Sequence, residues 1–337
     1  MGTEYESSEY NVNIGVVGVG GQGSNLVNRL TRAGIKSAKT IAVNTDANHL
    51  NMINAHRRML IGNALTKGLG AGGFPEVGAK AAEASKQQLI EALEGFHMVF
   101  VAFGLGGGTG GGAGPVVARL AKEAGALVVG FVTYPFALER SRKQKAEWSL
   151  EQLQNAADTV IVIENNRLLS YVPNLPIDKA FELVDNVAGN VIKGIADTIQ
   201  LPSLINLDFA DIRAVMAGAG TAVINIGYGS GPDKVDAAIR STINHPLLDV
   251  DLENAKNALV HVTGGKNLTI EEATRIGAGV TQSLDPKANV IFGARLSEEM
   301  LGQVSVMSIV TGVKPKFGVM PSGVQKDAAF LTGLEIV

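Results

Sequence analysis

A run of glycines at residues 104–114 is the stretch of this sequence best suited to hold a charged ligand. It reads Gly-Leu-Gly-Gly-Gly-Thr-Gly-Gly-Gly-Ala-Gly, so eight of its eleven residues are glycine. The apolar run Met98–Phe103 before it predicts a buried strand, and Pro115 after it predicts the start of a helix. Glycine lets backbone N–H groups approach a ligand, and a helix N-terminus adds a positive dipole end. With the hydroxyl of Thr109, the stretch predicts a phosphate-binding loop rather than a flexible linker.

Two further glycine-rich segments follow predicted strands. Gly18, Gly20 and Gly23 fit the pattern G-x-G-x-x-G, and Asp46 stands at the distance of a ribose-binding acid, so this segment alone leaves a dinucleotide site open. The other segment is Gly68–Gly73. None of the three contains Gly-Lys-Ser/Thr, which excludes a Walker P-loop. Because ligands bind at the carboxyl ends of parallel strands, the three loops predict one convergent site in which backbone amides hold phosphates.

Asp208 and Asp211 form a second candidate site. They lie three residues apart at the predicted start of a helix that runs to about Met216, which places both carboxylates on one face. Two carboxylates in that position could polarise a water molecule and help to hold Mg²⁺. The simpler alternative is structural, with Asp208 capping the helix and Asp211 offsetting its dipole. The residues alone leave both explanations open.

The elements that position these residues alternate between strand and helix. The predicted strands are continuous apolar runs, which is typical of a parallel sheet covered on both faces. A helix from about Lys179 to Ile199 carries a broad apolar stripe and predicts a spine of ~30 Å between two domains, the second being smaller and of α+β type. The predicted strands of the first half are Val12–Val17, Thr40–Val43, Met98–Phe103, Ala126–Thr133 and Thr159–Ile163.

Composition limits the possible functions. The 337 residues include no cysteine, which excludes a disulfide framework, a thiolate metal site and a cysteine nucleophile. The net charge of −3 gives no electrostatic case for binding nucleic acid. No apolar stretch reaches the ~18 residues of a membrane span, and the acidic start of the chain does not fit a secretory signal. We therefore expect a cytoplasmic protein without direct membrane insertion.

Taken together, the motifs resemble the tubulin/FtsZ family of GTPases, and more closely its FtsZ cell-division branch in a divergent or archaeal form. The resemblance covers about residues 11–313, and its motifs occur in the family's order. They are Gly18–Asn25, Asn44–Asp46, Gly70–Glu76, Gly106–Gly112 and Asn206–Asp211.

The resemblance implies an α/β protein of tubulin/FtsZ-like fold. A Rossmann-like parallel-sheet GTP-binding domain would span 12–178, a central core helix 179–200 and a smaller α+β activation domain 201–313. A disordered N-terminal tail at 1–11 and a C-terminal tail at 314–337 would flank them. Subunits would stack head to tail, so that the catalytic loop of one subunit, with Asp208, Asp211 and Asn206, completes the nucleotide site of the next.

The resemblance also implies which residues hold the nucleotide. Glu139 would bind the ribose hydroxyls, and Asn165 and Asp185 would read the guanine, on which Phe181 would stack. A carboxylate can accept both adjacent N–H donors of guanine, a pair that adenine lacks. Lys143 would stand near the phosphates. The remaining contacts would be Gly20, Gly21, Gln22, Gly23, Ser24, Asn25, Gly72, Gly73, Gly106, Gly107, Gly108, Thr109, Gly110 and Gly111.

The implied ligands are GTP/GDP and Mg²⁺, with K⁺ as an optional further ion. Mg²⁺ would be held mainly by the phosphates and water, assisted by Asp208 and Asp211. The implied partner is the chain itself in a head-to-tail homopolymer, concentrated at the division site in a cytokinetic member. The C-terminal tail is the candidate segment for binding a membrane adaptor or another cell-division protein.

Three departures from the family pattern leave alternatives open. Gly111 stands where the family usually has Thr or Ser, and Lys143 stands where Arg is common, with Arg142 as a candidate substitute. The chain also ends without the long linker and terminal peptide of bacterial members. A slow or non-hydrolysing filament protein with a shape or structural role is therefore the second hypothesis. A Rossmann-type dehydrogenase is the third, and it explains only Gly18–Gly23.

Overall fold

A mixed sheet of ten strands runs through the chain in the computed structural model, which describes residues 12–166, 176–201, 203–205, 207–244, 250–251 and 255–315. The predicted N-terminal tail at 1–11 lies outside these ranges, and so do residues 316–337 of the C-terminal tail predicted at 314–337. A separate pair is formed by β8 (Val250–Asp251) and β12 (Lys314–Pro315). The strands of the large sheet are β1 (Ile14–Val19), β2 (Lys39–Asn44), β3 (Arg57–Leu60), β4 (Met98–Gly104), β5 (Leu127–Tyr134), β6 (Thr159–Glu164), β7 (Gly220–Ser230), β9 (Asn257–Gly264), β10 (Asn289–Leu296) and β11 (Gln303–Thr311).

The strand order is β10-β9-β11-β7-β6-β5-β4-β1-β2-β3. β1 to β6 are parallel, and β7 continues the sheet beside β6 by pairing Gly220–Ala222 with Thr159–Ile161. β11 lies antiparallel between β7 and β9, while β10 is parallel to β9 at the edge. The division into two domains stays a prediction, because both halves share this one sheet.

The continuous apolar strands predicted from the sequence contribute side chains to two hydrophobic cores, one on each face of the sheet. In β4, Met98, Phe100 and Ala102 belong to one buried cluster, and Val99 and Val101 belong to the other. Successive side chains of a strand point to opposite faces, so only a strand covered on both faces can be apolar throughout. The parallel, doubly covered sheet predicted for the first half is therefore confirmed.

Eleven helices are described on the two faces of the sheet and around its edges. The helical segment that begins at Pro75 is divided at Ser85, which ends one helix and begins the next. The short elements between Ala47 and Thr66 were not predicted, because four or five residues carry too little periodicity. The helices are α1 (Gly20–Arg32), α2 (Ala47–Asn51), α3 (Asn63–Thr66), α4 (Pro75–Ala84), α5 (Lys86–Leu93), α6 (Gly108–Glu123), α7 (Arg140–Ala156), α8 (Ile177–Gln200), α9 (Phe209–Met216), α10 (Lys234–Ile243) and α11 (Ile270–Thr281).

Helix α8 joins the two halves of the chain, as the broad stripe predicted. Val184, Val191 and Ile195 lie in the same core cluster as residues of β4 and of β11. Gly189 approaches Leu30 of α1, and Gly194 approaches Met307 of β11. Among the residues that the structure describes, no helix has the length and apolarity needed to cross a membrane.

Helix α6 begins at Gly108, so the prediction that it starts at Pro115 is wrong. Pro115 lies inside the helix, and of the glycines from 104 to 114 only Gly106 has a positive φ, of 79°. The other glycines serve close packing: a Cβ on Gly112 would stand 1.8 Å from the carbonyl oxygen of Pro75, and one on Gly114 would stand 2.3 Å from the Phe103 ring. Tertiary packing therefore overrides the low helix propensity of glycine here.

We expect Gly112→Ala to destabilise the protein, because the added methyl group would meet the α4 backbone. Overpacking of this kind costs roughly 1–3 kcal/mol. Gly21→Ala is the matched control, because a Cβ there meets no atom within 4 Å. Urea unfolding of both variants measures the difference in free energy of unfolding. Equal stability of Gly112→Ala and the parent protein would contradict the close packing of α6 on α4.

Candidate active site

The three glycine loops meet at the carboxyl edge of the parallel strands. A Cβ on Gly20 would stand 2.7 Å from the amide nitrogen of Gly110. A Cβ on Gly108 would stand 2.8 Å from the amide nitrogen of Phe74 and 3.0 Å from that of Gly73. The structure thus brings together the loops after β1 and β4 and the loop before α4. Side chains at these positions would fill the space between the backbones, so glycine keeps the backbone N–H groups accessible.

Two helices begin at this meeting point without side-chain caps. The N-cap residues are Val19 for α1 and Gly107 for α6, and neither first turn contains an acidic residue. The first N–H groups of a helix have no intrahelical acceptor and carry a partial positive charge. Two such ends side by side favour an anion with several oxygen atoms. The Thr109 hydroxyl lies in the first turn of α6 and hydrogen bonds to Thr45 Oγ1 at 2.6 Å.

The start of α7 is basic, against the direction that the helix dipole favours. Arg140, Arg142, Lys143 and Lys145 all lie in its first six residues, and no acidic residue lies in its first turn. Basic residues at a helix N-terminus cost stability unless an anion is nearby. The backbone of Arg142 packs against the glycine run, because a Cβ on Gly106 would stand 2.6 Å from its carbonyl oxygen. The start of α7 therefore lies beside the glycine run, and Lys143 is among its first four residues.

Glu139 connects this basic segment to the residues implied for the base. One of its carboxylate oxygens pairs with Arg142 at 2.8 Å, and the other accepts from the Phe136 N–H at 3.1 Å. The Phe136 ring contacts the Phe181 ring edge to face at 5.7 Å. Phe181 is 38% exposed, so it is not the core residue that its place on an apolar stripe would suggest. An exposed ring at this position can stack on a base.

Buried polar atoms without a protein partner also face this region. Asn165 lies directly after β6, and its Oδ1 is buried with no hydrogen-bond partner among the described residues; the same holds for Gln22 Nε2. Buried polar groups are nearly always hydrogen bonded, so both atoms have the capacity to bond a ligand group. Together with the open glycine cradle, they fit a nucleotide bound between α1, α6 and β6.

Asp185 is the buried carboxyl group of the site, only 8% exposed. Burial raises its pKa to about 6, although Arg29 of α1, at 3.6 Å, acts in the opposite direction. Arg29 also pairs with Glu182 at 3.1 Å, one helical turn before Asp185. Burial disfavours the charged form of a carboxyl group. Two N–H donors of a ligand therefore stabilise a buried carboxylate more than they stabilise an exposed one. This is the environment expected for a group that reads guanine.

Some of the implied contacts are placed differently. Gly23 faces the sheet, where its Cβ would stand 2.1 Å from the Ala102 carbonyl oxygen, and Ser24 is fully buried. Gly111 faces α7, and a Cβ there would stand 2.5 Å from Ser149 Oγ. A Thr or Ser side chain at position 111 would therefore point toward α7, so Gly111 removes no hydroxyl from the phosphate side of α6. Gly21 and Asn25 are exposed, and Gly72 lies in the loop before α4.

Asp208 and Asp211 form a capping box at the start of α9. Asp208 Oδ1 accepts from the Asp211 N–H at 2.8 Å, and Asp211 Oδ2 accepts from the Asp208 N–H at 3.0 Å. The structural alternative is therefore realised, yet each carboxylate keeps one oxygen outside this pair. Asn206, the third implied catalytic residue, lies outside the described residues.

The loop that carries Asp208 and Asp211 lies at the opposite end of β4 from the glycine run. Phe209, next to Asp208, contacts the His97 ring with centroids 6.3 Å apart, and His97 directly precedes β4. The seven residues of β4 then lead to Gly104, so the two ends are separated by roughly 20 Å at 3.3 Å per residue. Within one subunit, Asp208 and Asp211 cannot reach a phosphate at the glycine loops.

Comparison with known protein families gives two matches along this chain. The family model described as "Tubulin/FtsZ family, GTPase domain" matches residues 13–173, and the one described as "FtsZ family, C-terminal domain" matches residues 220–314. The chain belongs to the FtsZ family. It is 53% identical to "Cell division protein FtsZ 2" of Methanocaldococcus jannaschii over 316 residues, which are 93% of this chain and 83% of that protein. It is 50% identical to the protein of the same name from Halobacterium salinarum over 313 residues, 93% and 79% of the two chains.

Solved structures share the fold of this FtsZ-family chain. "FtsZ dimer, empty (M. jannaschii)" superposes with a TM-score of 0.85 at 42% identity and covers 95% of this chain and 96% of that one. A solved CetZ2 from Haloferax volcanii has a TM-score of 0.77 at 23% identity, covering 90% and 93%, which shows likeness of fold alone. The predictions of family, fold class and GTPase activity are confirmed, and the dehydrogenase hypothesis is wrong.

Three contacts of the candidate site were not predicted from the sequence, although Thr45 lies within the motif Asn44–Asp46. Arg29 contacts Asp185, Thr45 contacts Thr109, and Lys145 donates to the Gly73 carbonyl oxygen at 2.7 Å. Each contact joins elements far apart in the chain, so local periodicity does not reveal it. The excess of basic residues at the start of α7 was the one sequence signal that could have indicated Lys145.

Proposed function

We propose that this FtsZ-family GTPase stacks head to tail into protofilaments and that GTP held by one subunit is hydrolysed with Asp208 and Asp211 of the next. The observation that carries the proposal is the separation of roughly 20 Å between the glycine loops and the catalytic loop, at opposite ends of β4. A site whose parts lie at opposite ends of one subunit is completed only where two subunits meet.

Exposed apolar side chains at both ends of the subunit support this stacking. Leu69, Phe74 and Leu138 are exposed around the glycine loops, and Leu204 and Ile205 are exposed beside the catalytic loop. Clusters of large exposed apolar residues mark interaction surfaces. The solved dimer of a 42% identical FtsZ supports self-association of this chain as well.

The proposed chemistry uses the oxygens that the capping box leaves available. One oxygen of Asp208 or Asp211 would accept a proton from the water that attacks the terminal phosphorus. The bond from that phosphorus to its bridging oxygen would break, and GDP would leave with this oxygen while the first turns of α1 and α6 hold the phosphate oxygens. No cluster of three or more metal-ligating side chains occurs in the described part of the chain. Mg²⁺ would therefore be held mainly by phosphates and water, with Asp208 and Asp211 assisting, and it would neutralise phosphate charge.

The non-hydrolysing alternative is not favoured by the geometry of Gly111. Its missing hydroxyl would point toward Ser149 rather than toward the phosphates. Lys143 keeps a positive charge at the start of α7, where the family commonly has arginine. We further propose that the filaments act in the cytoplasm at the division site, as the names of the relatives suggest. An adaptor contact through the C-terminal tail, 314–337, stays a prediction, since all but its first two residues lie outside the described ranges.

Phosphate release from GTP, measured across a range of protein concentrations with ATP as control, tests the proposal. We expect the specific rate to rise above a threshold concentration, because a shared site exists only in assembled subunits. A rate that does not depend on concentration would place catalysis within one chain and contradict the proposal. GTP binding without phosphate release would favour the second hypothesis instead. Hydrolysis of ATP at the same rate would contradict the guanine assignment.

A further inference from the structure

We propose that Lys145 is a latch that holds residues 70–74, here called the latch loop, over the phosphate end of the site and thereby favours GTP over GDP. This inference rests on the proposed function, since it concerns the same nucleotide. Lys145 lies in the second turn of α7, and its ammonium group makes two contacts with the latch loop. It donates to the Gly73 carbonyl oxygen at 2.7 Å, and it lies 5.2 Å from the centroid of the Phe74 ring.

The latch loop does not fix its own position. Gly70, Gly72 and Gly73 have φ values of 87°, 61° and 77°, and glycine has little intrinsic preference between such conformations and others. Its internal support is a hydrogen bond from the Phe74 N–H to the Ala71 carbonyl oxygen at 3.0 Å. The Phe74 ring is 58% exposed and so is not anchored in the core. The other end of the loop is held by a hydrogen bond from the Gly70 N–H to the Thr45 carbonyl oxygen at 3.1 Å and by burial of Ala71, so the contacts from α7 act on Gly73 and Phe74.

The position of the latch loop matters because it adjoins the first turn of α6. The backbone nitrogens of Gly73 and Phe74 lie 3.0 and 2.8 Å from the position of a Cβ on Gly108. A terminal phosphate bound at the α6 N-terminus would meet these backbone groups, whereas a diphosphate would leave them without a ligand. Lys145 holds the latch loop in reach of that phosphate, so its loss should weaken GTP binding more than GDP binding.

A simpler explanation is that Lys145 only adds positive charge near the phosphates. The two explanations differ in what neighbouring residues should do. If only the positive charge matters, Lys143→Met should weaken GTP binding as much as Lys145→Met does, and Phe74→Leu should leave GTP binding unchanged. If Lys145 acts as a latch, Phe74→Leu should share part of its effect, and the double variant should show less than the sum of the two single changes.

Binding of GTP and GDP, by competition with a fluorescent guanine nucleotide below the assembly concentration, tests the latch. We expect Lys145→Met to weaken GTP binding roughly 30-fold, the lower end of the range for one charged hydrogen bond plus an exposed cation–π contact, with less than ~2-fold change for GDP. Lys145→Arg should restore the GTP preference, and Lys86→Met is the control for a lysine outside the site. An equal loss of affinity for GTP and GDP would overturn the inference. So would an equal loss of GTP affinity in Lys143→Met and Lys145→Met together with unchanged affinity in Phe74→Leu.

Hydrogen exchange in the nucleotide-free protein separates the latch from the proposed function. Lys145→Met and Phe74→Leu should both speed amide exchange in residues 70–77 while exchange in α6 stays unchanged. Unaltered exchange in residues 70–77 would overturn the latch whatever the nucleotide data show. Failure of the parent protein to prefer GTP over ATP would instead defeat the proposed function and leave the exchange result to decide on the latch.

Discussion

Replacing Asp211 with alanine should abolish GTP hydrolysis while leaving GTP binding intact. A positioned carboxylate that accepts a proton contributes about 10²–10⁴-fold to a rate, so we expect phosphate release to fall at least ~100-fold. Binding should be preserved because Asp211 lies at the amino end of β4, roughly 20 Å from the glycine loops. Phosphate release under assembling conditions and equilibrium binding of GTP measure the two effects. Hydrolysis at the parental rate would remove Asp211 from the catalytic assignment.

The capping role of Asp211 requires its own control, since alanine also deletes a hydrogen bond to the Asp208 N–H. Asp211→Asn keeps an oxygen that can accept this bond but carries no negative charge. If the charge is what matters, asparagine and alanine should be equally inactive. Helix α11 begins with a similar box, in which Thr269 and Glu272 exchange hydrogen bonds. Glu272→Gln there should leave hydrolysis unchanged.

Mixing two inactive variants tests whether the site is shared. Asp211→Ala keeps its nucleotide site, and Asp185→Asn keeps its catalytic loop. Where an Asp185→Asn subunit stacks on an Asp211→Ala subunit, an intact pair of half-sites forms. At a GTP concentration that fills the site of Asp211→Ala but is too low for Asp185→Asn, the mixture should therefore hydrolyse GTP although neither variant does so alone. No recovery in a mixture that still assembles would mean that both groups must belong to the same chain.

The parts of the fold that could be predicted are those decided by local pattern. Continuous apolar strands and glycine loops at their ends sufficed for the parallel sheet and for the meeting of the three loops. The start of α6 could not be predicted, because Pro115 is a strong local signal for a helix start. Only the contact of Gly112 with Pro75 explains why a run of glycines is helical.

The contacts that shape the site are between residues distant in the chain. Arg29 meets Asp185, and Thr45 meets Thr109, because packing of α1 on α8 and of β2 beside β1 brings them together. The joining of both halves into one sheet rests on three residue pairs between β6 and β7. Neither hydrophobic periodicity nor a motif encodes such pairings, whereas the family resemblance implied the nucleotide residues directly.

Asp185→Asn should remove the preference for guanine, which is the second large effect that we expect. The carboxylate would accept from N1–H and from the exocyclic amino group, and hydrogen bonds to a charged acceptor contribute roughly 1.5–3 kcal/mol each, so GTP affinity should fall on the order of 100-fold. Asparagine keeps the size of the side chain but presents one acceptor and one donor. That pair complements xanthine, which has a carbonyl oxygen in place of the amino group, so the variant should prefer XTP to GTP.

The pKa of Asp185 gives this assignment a second, independent test. Because burial raises this pKa from 3.8 to about 6, the folded protein binds the proton more tightly than the unfolded chain does. The free energy of unfolding should therefore fall as the pH rises from about 4 to 6, and this part of the pH dependence should vanish in Asp185→Asn. The ionised form is the one that accepts from guanine, so GTP affinity should rise over the same interval and level off above it. GTP affinity that does not change between pH 5 and 7, or a variant that still prefers GTP to XTP, would exclude Asp185 from the guanine site.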